Sequence, residues 1–150
     1  MCYIVVDRLR AGDGKEHEYR AHWQLEDVPL TLEPGRGSRI SHHERGNYLA
    51  PLQRGTKAVA DYGDGVTLTL ISGENCEVRR GNFKPFAGWR TPNVPAPAVD
   101  MVARGADRRI VTVLYPSDRG CPIESVTYDP DADGREILIR TEGEEIRVEI

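Results

Sequence analysis

The side chains best able to move protons in this 150-residue chain are four histidines and six tyrosines, and their spacing sorts them. His17 and Tyr19 stand two residues apart with Trp23 beyond them, so in an extended strand they share one face. That face reads as inward-packing, because a histidine or tyrosine with a single polar partner is common in half-buried positions. His22 falls on the alternate, polar face. With His17 and Tyr48 it completes a set of candidate acid–base groups: His17, His22 and Tyr48. His42 and His43 form the one local histidine cluster. A metal ion needs three or four converging ligands, and strand neighbours point to opposite faces. No metal site is therefore assigned, and His42 and His43 remain surface residues that Glu44 and Asp27 could complete only through the fold.

A second constellation, Arg79, Arg80, Lys84, Trp89 and Arg90, suits recognition. Guanidinium groups clasp carboxylates and sulfates in two-pronged fashion, and an exposed indole stacks on a sugar ring. Cations interleaved with aromatics make a candidate contact surface for an acidic glycan. The competing reading has Phe86 and Trp89 pinning the loop and the arginines forming a solvated face balanced by Glu74 and Glu77. Asp129, Asp131 and Asp133 alternate as in part of a calcium loop, but Arg140 stands where the closing glutamate belongs, which favours a solvated turn. Asp7 lies in an apolar run and needs a partner, for which Arg8 or a turn amide is the simplest choice.

Period-2 alternation dominates the segments that must position these groups. It runs through residues 17–25, through Val66, Leu68 and Leu70, through Val111, Val113 and Tyr115, and through Ile137 and Ile139. The motifs Gly12-Asp13-Gly14, Pro34-Gly35, Gly63-Asp64-Gly65, Asp133-Gly134 and Glu142-Gly143-Glu144 punctuate it as turns, the last joining 135–141 and 145–150 in a hairpin. No segment keeps a 3.6-residue period beyond a turn or two. About ten short strands in one domain spanning 1–150 predict an all-β, antiparallel β-sandwich. Residues 81–97 carry four prolines with Phe83, Phe86 and Trp89, which predicts an ordered crossing loop held by its aromatics.

Composition removes several function classes. A net charge of −4 with both signs interspersed argues against a nucleic-acid binder. No stretch reaches transmembrane length and no basic leader precedes an apolar run, so the sequence reads as soluble, with no membrane partner and no signal peptide. Three widely spaced cysteines, Cys2, Cys76 and Cys121, give neither a disulfide framework nor a thiolate zinc site, and Cys76 reads as a small buried hydrophobe. No cofactor is expected. The chain opens on Tyr3-Ile4-Val5-Val6 and closes on Ile146-Arg147-Val148-Glu149-Ile150, both strand-like. That predicts a piece of a larger architecture, with an N-terminal strand left open to self-association.

Several segments, in order, resemble the C-terminal β-sandwich of heparinase II/III-like polysaccharide lyases. They are Tyr3-Ile4-Val5-Val6-Asp7-Arg8-Leu9, then His17 and His22-Trp23-Gln24-Leu25, then the 81–97 loop running into Ala98-Val99-Asp100-Met101, then Val111-Thr112-Val113-Leu114-Tyr115-Pro116. Gln24 departs from the family pattern, which often has histidine there. The resemblance implies a helical toroid as catalytic partner and β-elimination of acidic polysaccharides by tyrosine and histidine. It places the catalytic pair and the metal-binding cluster mainly ahead of this sandwich, in a family often periplasmic or secreted. The expected role is then an accessory domain supporting the toroid and contacting an acidic polysaccharide. Two alternatives stand beside it: an active part of the lyase using His17, His22 or Tyr48, and a stand-alone carbohydrate-binding module.

Overall fold

Alternating apolar and polar residues leave a chain little choice but to pair strands and bury one face of each sheet. The computed structural model describes residues 1–33, 53–80, 82–83, 86–87, 89–91, 94–129 and 135–150. In chain order the strands are β1 (Tyr3–Arg10), β2 (His17–Gln24), β3 (Leu30–Glu33), β4 (Gln53–Asp61), β5 (Thr67–Arg80), β6 (Asn82–Phe83), β7 (Phe86–Ala87), β8 (Trp89–Thr91), β9 (Val94–Pro95), β10 (Pro97–Gly105), β11 (Asp107–Ser117), β12 (Ile123–Tyr128), β13 (Glu136–Thr141) and β14 (Glu144–Glu149). All pairings among them are antiparallel, and no helix occurs among the described residues. The all-β, sandwich-like class expected from the alternation is what the chain adopts.

The large sheet is organised around β5, the longest strand at 14 residues. On it, β10 pairs with the C-terminal half (Pro97 opposite Arg80, Val102 opposite Asn75), and β11 pairs with the N-terminal half (Val113 opposite Ile71, Ser117 opposite Thr67). Both run antiparallel to β5, so β10 and β11 point the same way. Between them the chain leaves β5 and pairs with β2 and β1 instead, Gly105 opposite His17 and Asp107 opposite Arg10. β1–β2 and β10–β11 therefore form one long antiparallel ribbon, bent in the middle.

The bend has identifiable causes. Gly105 adopts φ of 155°, and a Cβ there would collide with the Arg108 guanidinium. Arg108 in turn donates from Nε to the Arg104 carbonyl. The carbonyl of Ala106 accepts from the Ala11 N–H at 2.8 Å and from the Tyr19 hydroxyl at 3.0 Å, which ties both limbs to the apex. The inward-facing positions change parity across it: Val99, Met101 and Ala103 before, Ile110 and Leu114 after.

Curling in this way makes two cores. Inside the curl, Leu30, Leu32, Ala58, Ala60, Leu70, Cys76, Val78, Val99, Met101 and Ile110 are almost fully buried. On the other face, the sheet β12–β13–β14 packs Ile123, Val126, Ile137 and Ile139 against Ile71, Val111 and Val113. Each large aliphatic so buried stabilises the fold by about 1.5–3 kcal/mol before its entropic cost. Gly73 on β5 permits the approach, because a Cβ there would lie 3.0 Å from both the Tyr128 ring and the Val126 carbonyl oxygen.

The hairpin expected over 135–150 forms as β13 and β14, with Ile139 opposite Ile146. Where 81–97 was expected to be a crossing loop, its described parts make two miniature pairs, β6 with β7 and β8 with β9. Each pair spans only two or three residues per strand, in a stretch whose sequence carries four prolines.

Candidate functional site

The densest polar chemistry among the described residues lies on the outer face of β2, β10 and β5, opposite the curl's core. Register puts it there: His22 pairs with Asp100, and Asp100 pairs with Glu77. Directly opposed side chains share a face, so an imidazole and two carboxylates stand in a row across three strands. Both carboxylates are deeply buried, Asp100 at 1% and Glu77 at 5% exposure. Such burial requires compensating charge or hydrogen bonds. Arg20, two positions before His22, supplies much of it. Its Nη1 lies 2.6 Å from Glu77 Oε2 and 3.3 Å from Asp100 Oδ2.

The network continues outward. Arg20 donates from Nε and Nη2 to Glu18 Oε1 at 2.9 and 2.5 Å. The other oxygen of Glu18 accepts from Arg104 Nε and Nη2 at 3.1 and 2.7 Å. Hydrogen bonds from Arg104, then Arg20, hold the Glu18 carboxyl below its ordinary range. Burial of Arg20 works to lower its pKa, but the bonds to Glu77 and Glu18 outweigh that and leave it raised. Arg20 and Arg104 are thus engaged by the protein's own carboxylates.

His22 closes the row on the solvent side. Its Nδ1 lies 2.6 Å from Asp100 Oδ1, and its side chain is 45% exposed. A carboxylate fixing one imidazole nitrogen orients the ring, which suits a proton acceptor as well as a structural tie. His17 does not join it. It sits at the start of β2 with Nε2 2.9 Å from Asp13 Oδ1 in the turn before, and its ring centroid is 6.2 Å from that of Tyr19. Tyr19 packs into the inner core, as the alternation implied, so His17 and His22 belong to opposite faces of one strand.

His42, His43, Tyr48 and Lys84 lie outside the described residues, as do Glu44, Asp131 and Asp133. So do the side chains of Arg79, Arg80, Trp89 and Arg90, whose backbones take positions in β5 and β8. Among the described residues, no three His, Cys, Asp or Glu side chains gather to hold a metal ion. All three cysteines are free, and Cys76 lies in the inner core. Burial, aided by the nearby carboxylates of Asp100 and Glu77, pushes its thiol up to about 12, so it supplies no nucleophile at neutral pH.

Sequence reasoning missed Asp100, Glu18 and Arg20, and its reading of Glu77 as a counter-charge on a solvated face is overturned by the burial of that side chain. A signal was present: Asp100 interrupts Ala98-Val99-Asp100-Met101-Val102, and Glu77 sits between Cys76 and Val78. Charges inside apolar strands must find partners across the ladder. The same logic applied to Asp7 gives the wrong answer. The expected partner, Arg8, is its strand neighbour and points to the other face, and among the described residues no hydrogen bond or ion pair engages the Asp7 carboxylate.

No protein-family model, no curated protein and no solved structure matches the chain.

Proposed function

We propose that the chain is a non-catalytic accessory β-sandwich of a heparinase II/III-like polysaccharide lyase, bracing a helical catalytic domain and contacting an acidic polysaccharide. The observation that carries this reading is the division of the histidines. β-Elimination from a uronate needs a base at the C5 proton, an acid at the leaving oxygen and a cation beside the carboxylate, all around one sugar. His17 and His22 occupy opposite faces of β2, and the cations nearest His22 are already held by Glu18, Glu77 and Asp100. On β5, Arg79 stands opposite Ala98, two positions beyond Glu77, and Arg80 opposite Pro97; with Trp89 and Arg90 they are the proposed glycan contacts.

Two measurements test it. The purified 150-residue protein is incubated with alginate and with heparin-type substrates while ultraviolet absorbance follows unsaturated uronate. No product is expected, and any product overturns the accessory reading. Binding of the same polymers is then compared with that of the Arg79→Ala/Arg80→Ala and Trp89→Ala/Arg90→Ala double variants. Loss of charge-assisted contacts of about 1.5–3 kcal/mol each would weaken binding at least tenfold at low salt. Undiminished binding removes this contact surface.

The His22–Asp100 pair favours one second reading, in which His22 contributes to catalysis within a larger assembly. A His22→Ala lyase assembly of full activity rules that out.

A further inference from the structure

Where β2 finishes and the β4–β5 hairpin turns, the curled sheet leaves a cavity of about 500 Å³. Its apolar wall is Trp23, Leu25, Leu68, Leu70 and Leu114, all of which belong to the inner core or pack against it. Tyr62 lines the cavity too and is 43% exposed, so it stands at the opening. A volume within ~300–1,000 Å³ and a wall mostly of aliphatic and aromatic side chains are what small-molecule sites share.

Hydrogen bonds hold these walls in place. In the hairpin, the Tyr62 N–H donates to the Val66 carbonyl at 2.9 Å and the Gly63 N–H to Asp61 Oδ1 at 2.9 Å. The Asp61 N–H donates to the Pro29 carbonyl at 2.9 Å, which fastens the hairpin to the segment after β2. On that side Gln24 Nε2 donates to the carbonyls of Leu25 and Pro97 at 3.1 and 3.2 Å, and the Val28 N–H to the Glu26 carbonyl at 2.8 Å. Walls fixed beforehand spare a ligand the cost of ordering them.

Charge narrows the ligand. Among the described residues that line the cavity, Glu26 carries the only charge. Its carboxylate stands near enough to Tyr62 to add to burial in pushing the phenol's pKa up. Their neighbours in the chain, Asp27 and Asp61, are acidic as well. An anion is therefore repelled, and a neutral molecule gains nothing from the carboxylate. A cation is drawn both to Glu26 and to the ring faces of Trp23 and Tyr62. An inorganic cation would leave the leucine wall uncovered, so the positive group needs an apolar body behind it.

We propose that this cavity binds a small organic cation, an ammonium group on an apolar body, with the body against Leu68, Leu70 and Leu114 and the ammonium beside Glu26 and Tyr62. Leu68 and Leu70 stand near the start of β5, whereas Arg79 and Arg80 end it. The site is thus distinct from the acidic-polysaccharide surface and selects the opposite charge, so either can fail without the other.

The test follows the methyl resonances of Leu68, Leu70 and Leu114 in the ¹³C-methyl-labelled 150-residue protein at low salt. Three probes of similar size, 2-phenylethylammonium, 2-phenylethanol and 3-phenylpropionate, are titrated separately. The ammonium is expected to shift these signals with about millimolar affinity, the alcohol to bind about fivefold more weakly, and the carboxylate more weakly still. Signals indifferent to the ammonium overturn the proposal. The alcohol or the carboxylate binding as tightly as the ammonium overturns it too, leaving only an apolar hollow, and that comparison needs no variant to fold. Glu26→Gln, an exchange at an exposed position, is expected to bring the ammonium down to the affinity of the alcohol. Undiminished ammonium binding in that variant removes the carboxylate from the site and overturns the charge selection.

Discussion

Arg20 is the residue on which the outer face depends. It reaches two carboxylates that have almost no access to water, so removing it strands Glu77 and Asp100 with fewer compensating charges. Breaking a buried ion pair from one side costs about 3–5 kcal/mol, and Arg20→Ala is expected to lower the urea midpoint accordingly with an unchanged m-value. His22→Ala should cost under about 1 kcal/mol, because its side chain is half-exposed and the imidazole can be replaced by water. Equal losses in the two variants would contradict this ranking. Glu18 sets a pH dependence. Its carboxyl is held below the ordinary 4.5, so its contribution is present above that value and lost as pH falls through the lowered one. Glu74 acts with the opposite sign, since burial raises it and its contribution fades as pH rises through the raised value. Melting temperature is expected to fall below about pH 4.5 less steeply in Glu18→Gln than in the parent. Parallel curves would remove Glu18 from the acid transition.

Among the elements, the bent ribbon decides the architecture. A straight β10–β11 would have kept one parity throughout and left Ile110 and Leu114 on the outer face. The apex depends on Gly105, whose φ of 155° is rare for side-chain-bearing residues and whose absent Cβ makes room for Arg108. Gly105→Ala is expected to destabilise by about 1–3 kcal/mol, read from urea unfolding. Gly12→Ala, on the opposite limb in open space, should change stability by less than about 0.5 kcal/mol. If the two behave alike, the bend does not rest on that glycine.

At the scale of the molecule, the sheet edges differ in how they are guarded. β14 ends the small sheet with Glu144, Glu145, Arg147 and Glu149, and charged edges resist pairing with other chains. β1 ends the large sheet, opening with the apolar run Tyr3-Ile4-Val5-Val6 and carrying its charges, Asp7, Arg8 and Arg10, only in its second half. Association through the first half of β1 is the expected consequence. Sizing chromatography over a wide concentration range should show earlier elution as concentration rises, and an invariant elution volume would refute it.

Some of this was legible in the residues alone. Alternation in 17–25 and 66–70 marked strands and the face each buries, because a two-residue period leaves only one way to bury apolar side chains, while 111–115 read only as a strand. The same period placed His22 away from Tyr19 and Trp23, and the Glu-Gly-Glu turn announced the last hairpin. The partners of Asp100 and Glu77, and the absence of one for Asp7 among the described residues, were not legible. Those depend on register between strands far apart in the chain, and on a bend that reverses facing across Gly105 and Ala106. Local spacing says which side chains share a face; only the tertiary pairing says which charges meet there, because opposition across a ladder is set by the whole sheet.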